Sequence, residues 1–394
     1  MVGAGVFAVF APAAQAAGGA LLIGLVVAAI VAFCNATSSA QLAAVYPVAG
    51  GSYVYGREEI GPWWGFAAGW CFVIGKTASC AAMALTFAAY LSPSGWTQRL
   101  IAIAAVLVLA AINYRGVTRT ALATRVIVAI VLAILLTFVG FHLGVGGQSH
   151  LGDLSFSGGP LGVLQAAGLL FFAFAGYARI ATMGEEVRDP EKTIGRAILA
   201  ALAIALTVFV IIGLTLIDRL GIDALAASKR PIFDAAAQID ASGVLPWVIT
   251  VAAALACLGA LLNLMTGIGR TSLAMARERD LPTFLATTHP RFKVPHRAEV
   301  ILAVVVSVLV LCGGLREVIS FSSFGVLLYY SVANLAALRQ SNHRRYPRAL
   351  QVLGLVLCLA LVATLNWRVL VAGVAVLAVG LVGRAVLRRP EPAA

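Results

Sequence analysis

The stretch from Phe171 to Arg196 reads FFAFAGYARIATMGEEVRDPEKTIGR, an apolar segment with Gly176 at its middle that ends in a block of charge. Inside a bilayer, backbone that leaves the helical conformation survives only where protein or a water-filled cavity surrounds it. A glycine beside an intramembrane charge therefore predicts an opened helix whose free amide and carbonyl groups can hold a solute. The apolar run 1–17 contains a similar interruption, formed by Gly3, Ala4 and Gly5. Two such interrupted segments are typical of a transporter.

The composition is that of an integral membrane protein. Hydrophobic residues make up 61% of the 394 residues and charged residues only 11%, whereas a soluble domain has about 25% charged residues. The apolar runs are long and continuous, which predicts helices rather than strands. We expect an incomplete first helix at 3–17, too short to cross a core of about 30 Å, because the chain begins within it. Eleven full spans are predicted at 20–45, 62–91, 98–113, 120–142, 161–183, 194–217, 244–269, 298–314, 317–338, 349–365 and 367–387.

The net charge of +12 suggests a nucleic-acid partner until the placement of the basic residues is considered. Loops rich in Lys and Arg alternate with loops that are poor in them, and the predicted inner loops hold 20 of the 28. This alternation follows the positive-inside rule. It predicts a multi-pass protein of the cell membrane with both termini cytoplasmic in the full-length protein, a lipid bilayer as its partner, and no nucleic acid.

The order of the segments predicts two structural repeats. Five helices lie in 1–141, a glycine-rich outer loop in 142–160, and five more helices in 161–338. The last two helices and a basic tail occupy 339–394. Each set of five opens with a glycine-interrupted helix, as the halves of an inverted repeat do.

The sequence gives little support for a metal site, a cofactor or an enzyme activity. The six cysteines fall in apolar segments without a CxxC pair, and the five histidines show no metal-ligand spacing. Hydrolysis or group transfer needs His, Asp or Glu near the reacting group, and the spans offer essentially none. We therefore expect no metal, no cofactor and no enzyme activity.

Two basic residues fall inside the predicted membrane core. Lys76 lies about 21 Å along the segment 62–91 at 1.5 Å per residue, and Arg179 lies just after the Gly176 interruption. A charge at this depth costs at least about 2.5–3.5 kcal/mol. A buried lysine can exchange a proton, so Lys76 is a proton-coupling candidate; binding helix-end carbonyls, or pairing with Glu185 or Glu186, is its alternative role. Arg179, Glu185 and Glu186 are candidate gate residues.

Four motifs resemble those of the amino acid–polyamine–organocation (APC) superfamily. They are VGAGVF at 2–7, PVAGGSYVYGREEIGP at 47–62, FFAFAGYARIATMGEEVRDPEKTIGRAI at 171–198 and RTSLAMARERDLP at 270–282. The resemblance implies an all-α, LeuT-like fold of five plus five inverted helices, about twelve in all, that transports amino acids or related amines. It also implies that backbone at Gly3, Ala4, Gly5 and Val6 meets the substrate carboxylate. The substrate amine would meet backbone at Phe174, Ala175, Gly176, Tyr177 and Ala178.

The sequence departs from that family pattern at two informative positions. Ala178 stands where many members have an acidic residue, and Val131 stands where many proton-coupled members have a lysine. We hypothesise that Lys76 substitutes for the lysine. Close helix packing remains the alternative role for Gly3, Gly5 and Gly176, since membrane helices use glycine in this way.

These observations predict a secondary transporter of amino acids or related small amine or carboxylate solutes. We expect alternating access with proton coupling or exchange. A non-transporting, APC-like membrane protein with a regulatory or structural role is the alternative.

Overall fold

The computed structural model describes residues 3–47, 50–92, 95–116, 121–145, 150, 158–177, 190–341 and 344–388. All regular structure in these ranges is helical. The first half contains α1 (Ala4–Ala8), α2 (Phe10–Ala17), α3 (Leu21–Val45), α4 (Ser52–Glu59), α5 (Pro62–Leu91), α6 (Gly95–Tyr114) and α7 (Ala121–Gly144). The second half contains α8 (Gly159–Phe174), α9 (Pro190–Ala227), α10 (Pro231–Ile239), α11 (Val244–Arg277), α12 (His296–Cys312), α13 (Leu315–Arg339), α14 (Arg348–Ala363) and α15 (Trp367–Leu387).

The predicted all-α membrane architecture is confirmed. Among the described residues, nine helical stretches are long and apolar enough to cross a membrane. The helices α12 and α14 have 17 and 16 residues and are shorter. One of the nine, Phe10–Val45, contains both α2 and α3; when α1 and α2 are counted apart from α3, the total with α12 and α14 is the twelve expected segments.

Three predicted segments differ clearly from the observed helices in length, and one of them, predicted at 244–269, continues to Arg277 as α11. The segment predicted at 161–183 stops as a regular helix at Phe174, where a 3-10 turn begins. The segment predicted at 194–217 is the longer α9, which continues past a kink at Gly221, where φ is +72°. Glycine adopts this left-handed conformation without a steric penalty, so the helical stretch bends there and runs on to Ala227.

Burial separates central helices from peripheral ones. Of an apolar stretch of 18 residues taken from each helix, 78% is buried in α5 and 83% in α13, whereas only 17% is buried in α7 and 22% in α15. The exposed side chains of the peripheral helices are largely Val, Leu and Ile. Apolar faces of this kind suit contact with lipid, so α5 and α13 form the centre of the bundle.

A buried ion cluster lies at one end of the bundle, which we call the basic end because it carries Arg57, Arg277, Arg339 and Arg384. Asp280 follows α11 and is 1% exposed. Its carboxylate accepts hydrogen bonds from Arg384 Nε at 2.7 Å and from the Tyr53 hydroxyl at 2.8 Å. Burial and the Asp280 carboxylate raise the pKa of the Tyr53 phenol well above its usual range, so the phenol keeps the proton that it donates. The cluster joins α4, α15 and the turn after α11.

Candidate functional site

The N-terminal end of the first helical stretch lies near Lys76, about halfway along α5. Gly3 is extended, with φ −158°, and α1 starts at Ala4. Hydrogen bonds from Val9 N to Gly5 O and from Ala13 N to Val9 O continue the helical bonding from α1 into α2. Because the first N–H groups of a helix have no partner within it and lie at its positive dipole end, this stretch presents donors around Ala4.

The helix α8 presents the opposite polarity. It ends at Phe174, and a 3-10 turn covers Ala175–Tyr177. Gly176 is exposed in this turn, while its neighbours Ala175 and Tyr177 are buried. Lys76, on α5 and 4% exposed, donates a hydrogen bond from Nζ to Ala175 O at 2.9 Å. A cation at the carbonyl end of a helix is electrostatically favourable, and this is the contact that the alternative role for Lys76, binding helix-end carbonyls, requires.

One cavity of about 340 Å³ lies between these two helix ends. Its wall is formed by residues of α1, α5, α7, α8 and α11. The structure brings Gly3, Ala4, Gly5, Gly176 and Lys76 together on this wall. Val131, at the position where the family resemblance implies a lysine, lines the same cavity. Lys76 on α5 and Val131 on α7 thus line the same cavity.

The other predicted residues lie elsewhere. Val6, Phe174, Ala175 and Tyr177 are buried, and their side chains belong to the helix packing rather than to the cavity wall. The Phe174 ring packs edge-on against Phe209 at 5.0 Å. The candidates outside the described residues are Ala178, Arg179, Glu185 and Glu186.

The chemistry of the cavity is mostly apolar with a positive bias. Its polar side chains are Lys76, Ser79, Thr124 and Asn263, and no Asp or Glu is among the described residues that line it. Asn263 was missed from the sequence, although a lone amide within the apolar segment 244–269 was a signal for it. Among the described residues, no group of three or more His, Cys, Asp or Glu could hold a metal ion. The cavity therefore suits a small solute that brings a negative group.

Gly5 combines a packing role with its place on the cavity wall. A Cβ atom at Gly5 would lie 2.7 Å from the Ala173 Cα atom, so only glycine permits α1 and α8 to approach this closely. The packing alternative foreseen for glycine is thus realised at Gly5. A Cβ atom at Gly3 would meet only the Ala260 Cβ atom, at an ordinary 3.7 Å.

We expect Gly5→Ala to destabilise the protein, because overpacking costs about 1–3 kcal/mol and contact with backbone leaves little room to relax. Unfolding of the purified chain in mixed micelles measures this loss. Gly3→Ala is the matched control, and its effect is expected to stay within about 0.5 kcal/mol. Equal stability of the two variants would contradict the close contact.

Comparisons with known proteins agree with this architecture. The amino acid permease family matches residues 1–387. An uncharacterized transporter of Mycobacterium tuberculosis (strain ATCC 25618 / H37Rv) is 50% identical over 391 residues, which cover 98% of this chain and 88% of that protein. More distant relatives differ in the solutes that their names state. The methylthioribose transporter of Bacillus subtilis (strain 168) is 26% identical, covering 86% of this chain and 77% of its own length.

The branched-chain amino acid permease BcaP of the same organism is 24% identical, covering 97% of this chain and 88% of its own length. A family match across nearly the whole chain, helices that can span a bilayer, and 50% identity to a transporter support one assignment. The chain belongs to the amino acid permease family of multi-pass membrane transporters.

Proposed function

We propose that this permease is a secondary transporter of small amino acids or closely related carboxylate-bearing solutes, working by alternating access. The observation that carries the proposal is the cavity of about 340 Å³ between the start of α1 and the end of α8. This volume lies at the lower end of the range for small-molecule sites, about 300–1,000 Å³. N–H groups at the start of one helix and carbonyl groups at the end of the other match the two ends of a zwitterion.

The charges around the cavity favour a solute with a carboxylate over a cationic amine. Lys76 and the positive end of α1 both lie on the wall, and the described lining residues include no acid. Backbone N–H groups at a helix start bind carboxylates readily. The remaining wall, with Val131 and Leu264 among its members, suits an aliphatic side chain.

A second cavity, at the end of the bundle opposite the basic end, is also lined by positively charged side chains. This cavity of about 210 Å³ is lined by Arg99, Lys229 and Arg316, and by no Asp or Glu among the described residues. Ala8, Ala11 and Gln15 also line it, so α1 and α2 lead from the central cavity into it. Clefts lined by one sign of charge concentrate solutes of the opposite sign, which favours entry of carboxylates.

For energy coupling we propose a proton held at Lys76, or exchange of one solute for another. Lysine can lose its proton when buried, whereas arginine cannot. We further propose that the basic end faces the cytoplasm, as the positive-inside rule predicts, with both termini of the full-length protein on that side and the protein in the cell membrane.

Thermal stabilisation of the purified full chain in lipid tests the substrate class. A solute that binds only the folded state stabilises by about 2.7 kcal/mol at a hundred times its dissociation constant. We expect L-leucine to raise the unfolding temperature, whereas isoamylamine, which lacks the carboxylate, should not. Counterflow uptake of leucine into proteoliposomes then tests transport. Stabilisation by isoamylamine alone would overturn the carboxylate assignment, and absence of uptake for every stabilising solute would overturn the transporter.

A further inference from the structure

Glu299 is a buried acid that the proposed transport site does not use. It lies in the first turn of α12 and is 2% exposed. Among the described residues, Glu299 forms no salt bridge, and its Oε2 atom has no hydrogen-bond partner. In the sequence, Glu299 stands at the end of an apolar segment, and a glutamate at such a position is expected to lie among the lipid headgroups. Packing instead encloses it.

The pocket around Glu299 is built from neutral groups of two other helices. On α11, a Cβ atom at Gly269 would lie 2.9 Å from Glu299 Oε1, so the missing side chain leaves the space that the carboxyl group fills. On α6, the buried Asn113 amide lies near the carboxyl group and interacts with it, and its Nδ2 also donates to Leu262 O at 3.4 Å. The Thr266 hydroxyl lies 3.2 Å from Asn113 Oδ1 and 3.0 Å from Leu262 O, and its one proton can go to either acceptor.

Two further ionisable groups, Cys80 and His296, lie near this pocket. On α5, Cys80 is buried one turn after Lys76 and lies within electrostatic range of Glu299. On α12, His296 lies one turn before Glu299, and its buried Nδ1 atom has no hydrogen-bond partner. The rings of Tyr114 and His289 surround His296 at 6.0 and 5.4 Å.

The nearby arginines do not neutralise the carboxyl group. Arg297 is exposed and donates to Phe284 O at 3.0 Å. Arg270 follows Gly269 on α11 and is also exposed, and neither forms a salt bridge with Glu299 among the described pairs. The carboxyl group is thus left with one neutral amide.

Magnitudes decide the state that such a pocket favours. Burying an unpaired ion costs several kcal/mol. The dipole of α12 returns only a small part of that free energy to a carboxylate in its first turn. A single proton removes the charge and most of this cost.

We propose that Glu299 is a proton-binding site of the carrier, with Oε2 as the atom that takes the proton. This inference rests on the proposed transport function. The proton comes from water at the basic end, past His296, and the carboxylate is restored when the proton leaves. Lys76, one turn from Cys80 on α5, holds a proton at the central cavity, so the carrier has two protonatable stations rather than one.

Infrared difference spectroscopy of the full chain in lipid, recorded between two pH values without added solute, tests the site directly. We expect the absorption of a protonated carboxylic acid near neutral pH, lost in Glu299→Gln and kept in Glu317→Gln. Glu317 is the matched control because it is an exposed glutamate in the first turn of the next helix, α13. An unchanged band in Glu299→Gln, or no such band in the wild-type protein, would overturn the proposal.

Two further measurements separate the possible failures. Asn113→Leu removes the donor that favours the carboxylate, so the band should appear at higher pH; this variant tests the site even if Glu299→Gln does not fold. In proteoliposomes, Glu299→Gln should reduce pH-driven leucine uptake at least tenfold and spare leucine exchange. If the wild-type protein shows the band but moves no solute, the transport function fails and the proton site stands. Full pH-driven uptake by a folded Glu299→Gln variant would show that the site is not part of coupling.

Discussion

Replacing Lys76 with alanine is expected to abolish pH-driven uptake of leucine into proteoliposomes while leucine exchange persists. Net uptake driven by pH requires a group that binds a proton on one side of the membrane and releases it on the other. Lys76 is positioned for this at the cavity wall, with its Nζ atom on the carbonyl where α8 ends. Exchange needs no net proton movement, so it should survive if the cavity keeps its shape.

An arginine at this position separates proton coupling from a structural contact. Arginine can still donate to Ala175 O, yet it does not lose its proton in proteins. Lys76→Arg should therefore lose pH-driven uptake and keep exchange, as Lys76→Ala does. Lys293→Ala, which removes an exposed lysine, serves as the control and should behave as the wild type. Normal pH-driven uptake by Lys76→Arg would show that Lys76 takes no part in proton coupling. Its only role would then be the hydrogen bond to the end of α8.

The part of this site that the sequence could predict is the part encoded locally. The interruption at Gly176 lies within one apolar segment, and α8 does stop nearby, at Phe174. Lys76 is visible because a charge inside a long apolar run is costly wherever that run packs. The span 62–91 likewise coincides with α5, since continuous apolar sequence bounded by polar loops determines where a helix can cross a bilayer.

The part that the sequence could not predict depends on contacts between distant segments. Glu299 is buried because Gly269 leaves space for it and Asn113 faces it. The sequence of α12 indicates neither neighbour. The sequence alone did not show that α7 would join the cavity wall, although Val131 was already of interest. Such juxtapositions follow from how whole helices pack, which periodicity and composition do not specify.

The second large effect is expected at the basic end, where Asp280→Ala should lower the free energy of unfolding by about 3–5 kcal/mol, as removal of one partner from a buried ion pair does. Asp280 and Arg384 are both 1% exposed and 104 positions apart in the chain. Arg388 adds a contact to Asp280 at 3.0 Å. Loss of the carboxylate leaves the Arg384 charge buried without an anion.

The groups around Arg384 cannot compensate for the loss of the Asp280 carboxylate. Its two terminal nitrogens have no hydrogen-bond partner, and the guanidinium lies 4.3 Å from the Trp63 ring centre and 5.2 Å from that of Phe66. Aromatic faces attract a cation with about 0.5–2 kcal/mol, less than the desolvation of an unpaired ion. We therefore expect α15 to detach from α4 and from the turn after α11, and to become accessible to protease.

A double variant shows whether the buried charge causes the effect. Asp280→Leu combined with Arg384→Leu removes both ions, and such apolar replacements are often neutral or stabilising. The double variant should regain most of the stability that Asp280→Ala loses, when unfolding is followed in mixed micelles titrated with a denaturing detergent. Asp223→Ala, at an exposed aspartate, should stay within about 0.5 kcal/mol of the wild type. If the double variant were no more stable than Asp280→Ala, the cluster would act through the Tyr53 and Arg388 contacts rather than by neutralising Arg384.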